Sequence, residues 1–210
     1  MESLLVLNGH PEADGLTAEL TGAYVAAAQS LVQVERIDLR ELVFDLVLRR
    51  ADQPFEPDLE RASQALLRAR HVTWIFPNWW GAPPALMKGF VDRVLRPGFA
   101  YRYRSRHAPP ERLLRGRSAR LITSMDSPGF WYQLVQGSPL HKGFVRGTLG
   151  FVGFDPVATT SFHEARFMDA KAHARARARV ESAGLADARR VATRAARGLG
   201  VTPLLGDRAG

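Results

Sequence analysis

The segment that most constrains the fold is an apolar run joined through an aromatic loop to an amphipathic helix. Residues 71–76 read His-Val-Thr-Trp-Ile-Phe, a β-branched and aromatic run typical of strands covered on both faces. Pro83 and Pro84 suit a helix start, and the Pro-Gly pair at residues 97–98 ends that helix. Because open α/β sheets bind ligands at the carboxyl ends of their strands, we expect a cofactor at the loop, residues 77–82.

The rest of the chain alternates between short apolar runs and helical patterns. Runs that predict strands cover residues 4–8, 32–38, 71–76, 119–124 and about 157–162. Strands that alternate with helices and are joined by right-handed crossovers form a doubly wound sheet. We therefore predict a five-stranded parallel sheet with strand order 2-1-3-4-5 and helices on both faces.

The segments between these strands carry further predictions. Asp58 is expected to cap a helix that runs to about residue 70, after an irregular stretch over residues 39–57. One or two helices are predicted to follow the last strand and to reach about residue 199. The chain is predicted to form a single domain over residues 1–200, with residues 201–210 as a frayed tail.

Composition limits the chemistry that the chain can perform alone. The sequence has 210 residues and no cysteine, which excludes disulfides, thiolate catalysis and thiolate metal ligands. The histidine spacing does not fit a metal pair, so no metal site is predicted. Redox chemistry would therefore depend on an organic cofactor. Apolar runs are far shorter than the roughly 18 residues of a membrane span, and the first run begins at Leu4, so we expect a cytoplasmic protein.

The formal net charge of +8 raises the question of nucleic-acid binding. Arginines are spread along the chain, and their densest cluster, residues 166–179, is an Ala/Arg/His pattern without interleaved aromatic residues. We interpret this cluster as a solvated helix face and predict no nucleic-acid partner. A positive surface would also attract the phosphates of a nucleotide cofactor.

The segment that begins at the aromatic loop resembles a known enzyme family. Apart from Met87 at the leucine position, it matches the pattern F-P-x-x-W-x-x-x-P-A-x-L-K-G-[FW]-x-[DE]-R-V over residues 76–94, and residues 98–101 follow as Gly-Phe-Ala-Tyr. In this it is similar to the NAD(P)H:quinone oxidoreductases of flavodoxin-like fold, the group of DT-diaphorase and the modulator-of-drug-activity reductases. The resemblance implies that the flavin ring is lined by Pro77, Asn78, Trp79, Trp80 and Gly81. As the alternative, Trp79 and Trp80 are simply core or interface residues.

The resemblance also implies a homodimer whose subunits share their substrate pockets. Tyr101 and Tyr103 would face the substrate pocket, with the partner subunit's pocket as the expected location, and Trp131 is a further candidate for that pocket. Twofold homodimers are the commonest oligomers, which agrees with this expectation.

The loop after the first strand is predicted to bind phosphate. A glycine-bearing turn that ends at a helix N-terminus presents free N–H groups and a partial positive charge. Family members carry His-Pro followed by a short polar motif at the helix start, and by this resemblance the cofactor contacts are His10, Gly15, Leu16 and Thr17. Gly15 replaces the usual serine, so backbone N–H groups would bind more of the phosphate. His10 alone would be interpreted as a turn residue.

The loop after the fourth predicted strand resembles a family motif of the form T-M-D-T-P-x-W-Y. The resemblance implies that the pyrimidine edge of the flavin is bound by Thr123, Ser124, Met125 and Asp126. Tyr132 and His141 would be the catalytic pair that stabilises charge during hydride transfer. The alternatives are a surface aromatic residue for Tyr132 and a helix-start histidine for His141, whose spacing from Tyr132 is longer than the family leads us to expect.

The function implied by the resemblance is a flavin-dependent NAD(P)H oxidoreductase. A hydride would pass from NAD(P)H to flavin N5 and then, in a ping-pong two-electron reduction, to a quinone or a similar flat acceptor. FAD is the expected flavin, with FMN as the alternative. Two other functions stay open: a regulatory or interaction subunit of a transporter that retains the flavoprotein fold, and a single-electron flavodoxin-like carrier.

Overall fold

The computed structural model describes residues 3–197. Its main sheet contains five parallel strands in the order β2-β1-β3-β6-β7, and a second sheet is the antiparallel pair β4 and β5. This order is the predicted 2-1-3-4-5 order of the five parallel strands. The predicted tail, residues 201–210, lies outside the described residues. The strands are β1 Ser3–Asn8, β2 Gln33–Asp38, β3 Ala69–Ile75, β4 Tyr101–Arg102, β5 Glu111–Arg112, β6 Ser118–Ser124 and β7 Val157–Phe162.

Within residues 3–197, four α-helices and several shorter helical segments lie between the strands or after the last one. Two of these segments, on either side of residues 136–140, have π-helical hydrogen bonding, a geometry often found near functional sites. A single helix, 27 residues long, follows the last strand. None of the helices within residues 3–197 is long and apolar enough to cross a membrane. The helices are α1 Gly15–Gln29, α2 Pro57–Arg68, α3 Ala85–Val94 and α4 Ala170–Ala196, with 3₁₀ turns Leu39–Glu41 and Ala165–Phe167 and π-helices Trp131–Val135 and His141–Gly150.

Alternate residues of β1 belong to two different hydrophobic clusters. Leu5 and Leu7 are buried with apolar side chains of α2, α3 and the second π-helix. Leu4 and Val6 are buried with side chains of α1 and α4. Because successive side chains of a strand point to opposite faces, both faces of β1 are buried, as the uninterrupted apolar run of this strand requires.

The start of α2 differs from the prediction. The helix begins at Pro57, whose missing N–H suits a first helical position, and Glu56 precedes it in an extended conformation. Asp58 is therefore inside the first turn and does not cap the helix. Its carboxylate instead accepts a hydrogen bond from the backbone N–H of Val43 at 2.7 Å and pairs with Arg61.

A buried arginine holds the irregular stretch before α2 against α3. Arg93 of α3 is fully buried and forms an ion pair with Glu56 at 2.6 Å. Its guanidinium also donates to the backbone carbonyls of Asp45 and Pro54. The segment that precedes α2 is thus ordered by side-chain contacts, which explains how it is fixed without a helical or strand period.

Candidate active site

The ends of four parallel strands meet at one edge of the sheet. The backbone N–H of Gly9 donates to the carbonyl of Ile75 at 2.8 Å, and that of Asn78 donates to the carbonyl of Ser124 at 2.8 Å. The N–H of Met125 donates to the carbonyl of Phe162 at 2.9 Å. Hydrogen bonding between neighbouring strands therefore continues into the loops, so the three predicted cofactor loops lie side by side.

Two of these loops enclose a cavity of about 560 Å³, within the range of small-molecule sites. The cavity brings together the five predicted ring-loop residues and three of the four residues predicted at the end of β6 and in the loop after it. Thr123 is buried beneath it and does not line it. The lining residues are Pro77, Asn78, Trp79, Trp80, Gly81, Ser124, Met125, Asp126, Ser127, Gln136, Ala165 and Arg166.

A strained turn presents Trp80 at the rim of this cavity. Trp79 and Ala82 exchange both backbone hydrogen bonds, and the two residues between them, Trp80 and Gly81, have φ of +56° and +78°. A left-handed conformation costs a non-glycine residue about 1–2 kcal/mol. The Trp80 side chain is fully exposed, so no burial offsets this cost within the chain. Strain of this kind clusters at ligand sites.

Two buried oxygen atoms at this edge have no hydrogen-bond partner among the described residues. They are Oδ1 of Asn78, which lines the cavity, and Oγ1 of Thr123, directly before Ser124. A buried polar atom without a partner costs about 1–3 kcal/mol. The Asn78 amide nitrogen, by contrast, lies 3.5 Å from the sulfur of Met125. Asn78 can therefore accept a hydrogen bond from the N–H of a flat heterocycle in the cavity.

The first loop lies next to this cavity without lining it. The ring of His10 meets the ring of Trp79 edge-on at 5.9 Å, and its Nδ1 accepts from the backbone N–H of Glu12. Helix α1 begins at Gly15, where the preceding Asp14 makes no side-chain capping bond, so N–H groups of the first turn are left for an anion.

The predicted contacts Leu16 and Thr17 are both directed into the fold. Leu16 packs against the core cluster of α1 and α4, and Thr17 is buried. Their backbone N–H groups, and not their side chains, are what they can offer to a phosphate at the start of α1.

Tyr132, His141 and Ser161 form a hydrogen-bonded chain. The Tyr132 hydroxyl lies 2.8 Å from Nδ1 of His141, and Nε2 of His141 lies 3.1 Å from Oγ of Ser161. A tight reversal at Gly137 and Ser138, with φ of +71° and +56°, turns the chain back and brings His141 to Tyr132. This reversal accommodates the long sequence spacing between the two predicted catalytic residues.

The environment favours the neutral form of both members of this pair. Burial raises the pKa of the Tyr132 hydroxyl. Burial, together with the nearby His163, lowers the pKa of His141 below its usual range. A neutral imidazole has one N–H donor and one acceptor nitrogen, so it can join the hydroxyls of Tyr132 and Ser161. The arrangement can hold or move a proton between these three groups.

A family match covers most of this chain. Residues 2–183 match the family described as Flavodoxin-like fold. The chain belongs to this flavodoxin-like family. The resemblance predicted from residues 76–101 is confirmed, because relatives of the chain are named NAD(P)H oxidoreductase and quinone oxidoreductase.

Individual relatives of this flavodoxin-like chain are distant. It is 31% identical over 109 residues to "Uncharacterized NAD(P)H oxidoreductase YcaK" of Escherichia coli (strain K12), and the match spans 48% of this chain and 56% of that protein. It is 25% identical over 178 residues to an "FMN-dependent NADH:quinone oxidoreductase" of Azotobacter vinelandii (strain DJ), spanning 75% and 85%. The crystal structure of Smu.1420 from Streptococcus mutans UA159 has a TM-score of 0.73 at 26% identity, covering 87% of this chain and 98% of that chain.

Four residues of the cavity wall were not found by sequence reasoning. Arg166 was assigned to a helix face, but it lies in the 3₁₀ turn before α4 and pairs with Asp126 at 3.1 Å. Asp126 also accepts from the backbone N–H of Arg166, so this carboxylate is engaged within the flavodoxin-like fold. No local pattern marks these residues, because they reach the cavity only through the fold. The four are Ser127, Gln136, Ala165 and Arg166.

The three predicted substrate-pocket residues do not line the 560 Å³ cavity of their own chain. The Tyr101 ring contacts the rings of Tyr103 and Phe151 and lines a second cavity of about 490 Å³ beside α3. Tyr103 and Trp131 are exposed, at 63% and 47% of their accessible surface. A contact of these residues with a substrate in a 560 Å³ cavity would have to be made to the cavity of another chain, such as a second subunit.

Proposed function

We propose that this protein is a flavin-dependent NAD(P)H oxidoreductase that reduces a quinone or a similar flat acceptor. The observation that carries the proposal is the 560 Å³ cavity at the carboxyl edge of the sheet, enclosed by the aromatic loop and the loop after β6. The names of the relatives support the same activity. We also infer from the two core clusters that helices cover both faces of the sheet.

We propose FMN as the flavin, in place of the FAD expected from the resemblance. The support is the Azotobacter relative, which is named as FMN-dependent and is matched over 85% of its length. Bound flavin would supply two-electron transfer between a nicotinamide coenzyme and the acceptor. The uncapped start of α1, beside the ring loop, suits the single phosphate of FMN.

The residues present fit such a group. The unpartnered Oδ1 of Asn78 would accept from a ring N–H, and Trp79 and Trp80 would cover the ring at the rim. Backbone N–H groups of the loop after β6, from Asp126 onwards, would stabilise negative charge on the pyrimidine edge. The flavin contacts proposed for His10, Gly15, Leu16 and Thr17 are limited to the phosphate end.

We propose that Tyr132 and His141 stabilise the negative charge that develops on the flavin ring. The Tyr132 hydroxyl, held by Nδ1 of His141, can donate a hydrogen bond toward developing negative charge. His141 can then take part in moving that proton, since its second nitrogen is held by Ser161. Both side chains are largely shielded from water, which strengthens such interactions.

We further propose a homodimer in which Tyr101 and Tyr103 close the partner's substrate pocket, with Trp131 at its margin. The exposed aromatic rings near the ring loop support this, since aromatic residues are enriched in interfaces. Light scattering at micromolar concentration should report a dimer. An active monomer would contradict this part of the proposal.

The main test is an absorbance spectrum of the purified protein, followed by titration with FMN and with FAD. We expect stoichiometric flavin uptake with tighter binding of FMN, and bleaching of the flavin bands when NADH or NADPH is added without oxygen. Addition of a quinone should restore the oxidised spectrum. Absence of flavin binding would overturn the proposal. Flavin binding without reduction by either coenzyme would favour the regulatory-subunit or single-electron alternatives.

A further inference from the structure

A further, polar cavity is lined by the Tyr132–His141 pair, which does not line the 560 Å³ cavity. Its volume is about 630 Å³, and Tyr132, His141 and Ser161 are part of its wall. The first π-helix, the second π-helix, β7 and α4 all contribute to it. The lining residues are Tyr132, Gln133, Gly137, Ser138, His141, Lys142, Arg146, Thr159, Ser161, His163 and Arg179.

The wall of this cavity is basic and contains no carboxylate. Its three cations are Lys142, Arg146 and Arg179, and no acidic side chain within residues 3–197 forms an ion pair with any of them. Arg177 lies on α4, as Arg179 does, but differs from it because it pairs with Glu181 at 2.9 Å. Concave surfaces with one sign of charge raise the local concentration of the opposite charge, so this cavity favours an anion.

One of these cations is already held in place. A terminal nitrogen of Arg179 donates to the backbone carbonyl of Ser161 at 3.2 Å, and its guanidinium lies over the ring of Phe162 at 5.5 Å. An arginine fixed by neutral partners keeps its remaining N–H groups available for a bidentate contact. Guanidinium groups match phosphate oxygens in this geometry. The side-chain hydroxyl of Thr159 adds a neutral donor to the same wall.

We propose that this basic cavity binds a terminal phosphate group, which is the 2′-phosphate of NADPH or free phosphate. The inference rests on the proposed oxidoreductase function where the coenzyme is the source, because the cavity shares Tyr132 and His141 with the candidate active site. It would make Lys142, Arg146 and Arg179 the residues that distinguish NADPH from NADH.

The test measures equilibrium binding and needs no turnover. Isothermal titration calorimetry would compare NADP⁺, NAD⁺ and orthophosphate on the wild-type protein, Arg146→Gln and Arg179→Gln. Only NADP⁺ and orthophosphate present a terminal phosphate group. Arg189→Gln is the matched control, since it removes the same charge from an exposed position of α4 outside the cavity. Circular dichroism would check that each variant is folded.

We expect the wild-type protein and the control to bind NADP⁺ more tightly than NAD⁺. Each cavity variant should weaken NADP⁺ binding by about 10- to 100-fold, the loss of one charge-assisted contact, and should reduce the preference over NAD⁺. If orthophosphate binds and is lost in both variants while NADP⁺ is not preferred, free phosphate is the source. If neither NADP⁺ preference nor orthophosphate binding occurs, or if both survive in both variants, the inference is overturned.

A separate measurement distinguishes this inference from the proposed function. One outcome is that the wild-type protein oxidises neither NADPH nor NADH with a quinone, but binds orthophosphate, and the variants do not bind it. In that case the phosphate site stands and the oxidoreductase function fails. If it oxidises both coenzymes while binding NADP⁺ no better than NAD⁺ and orthophosphate not at all, the function stands and the phosphate site fails.

Discussion

The charged groups of this protein are arranged in opposite ways in two regions. On the inner face of α4, Asp187 is almost fully buried and has a partner for each oxygen. It accepts from the hydroxyl of Tyr24 at 2.8 Å and from two nitrogens of Arg120, and Nε2 of His71 lies at 3.3 Å. Although burial acts to raise its pKa, hydrogen bonds from His71 and Arg120 hold the pKa of Asp187 well below its usual range.

At the carboxyl edge of the sheet, by contrast, several polar groups lack partners among the described residues. Oδ1 of Asn78 has no partner among the described residues, and Lys142 and Arg146 face a cavity without a carboxylate. Trp80 is fully exposed in a strained backbone conformation. These features lower the free energy of unfolding of the chain or add nothing to it. We therefore infer that they favour the binding of a ligand.

The comparison separates residues that hold the fold from residues that are kept for binding. Substitution in the Asp187 network should lower the free energy of unfolding and affect binding only through loss of the fold. Substitution at the edge should leave the free energy of unfolding nearly unchanged and alter flavin binding or turnover.

The largest effect is expected for Asp187→Ala. Removal of this carboxylate leaves Arg120 buried without its partner, so the free energy of unfolding should fall by about 3–5 kcal/mol. Denaturant unfolding would measure it. The matched control is Glu181→Gln on the same helix, whose exposed ion pair with Arg177 should contribute about 1 kcal/mol or less. A loss below 1 kcal/mol in Asp187→Ala would break the comparison.

The same network predicts a response to acid. Because the folded-state pKa of Asp187 is depressed, its contribution to stability is present above the unfolded-state pKa of about 4 and declines as the pH falls below it. Unfolding measured from pH 6 downward should therefore show a steeper loss, below about pH 4, in the wild type than in Asp187→Ala.

The next largest effect is expected for Tyr132→Phe. The ring is retained, so flavin should stay bound, and loss of the hydrogen bond to His141 should cost only about 1 kcal/mol of stability. If the hydroxyl stabilises developing charge, flavin reduction should slow by about 10- to 1000-fold. Stopped-flow reduction by NADPH would report this step. An unchanged rate with flavin bound would make Tyr132 a packing residue.

A smaller effect, of a different kind, is expected for Trp80→Gly. Glycine removes the left-handed strain of about 1–2 kcal/mol, while its greater freedom in the unfolded chain costs about 1 kcal/mol, so stability should not fall. Flavin affinity should fall about tenfold, since an aromatic cover is lost. Trp80→Ala should lose the same affinity without the relief of strain. A lower unfolding midpoint in Trp80→Gly would show that Trp80 supports the fold.

Sequence reasoning located the sheet because its signals are local. The uninterrupted apolar runs of β1 and β3 require burial on both faces, and parallel strands place their following loops at one edge. The resemblance assigned Pro77 to Gly81 and Thr123 to Asp126 to one site at that edge, and all of them except Thr123 line one cavity.

The remaining parts of the site depend on contacts that no local pattern encodes. The reversal at Gly137 and Ser138 sets the distance between Tyr132 and His141, and sequence spacing alone made that pairing look too long. Ser161 of β7 is adjacent to His141 only because the second π-helix packs against β7. The Asp58 cap was wrong for a similar reason, since Val43 from another segment takes its carboxylate.

The smallest effect is expected for Ser161→Ala, which sharpens the comparison within the edge itself. The Ser161 hydroxyl touches Nε2 of His141 and acts on Tyr132 only through that ring, so it is a positioning residue. Its loss should slow flavin reduction by about 3- to 10-fold at saturating NADPH, the size of one neutral hydrogen bond, with stability changed by about 1 kcal/mol or less. Ser161→Thr keeps the hydroxyl and suits a strand, so it should restore the rate. Equal slowing in both variants would mean that packing at this position, and not the hydrogen bond to His141, supports the reaction.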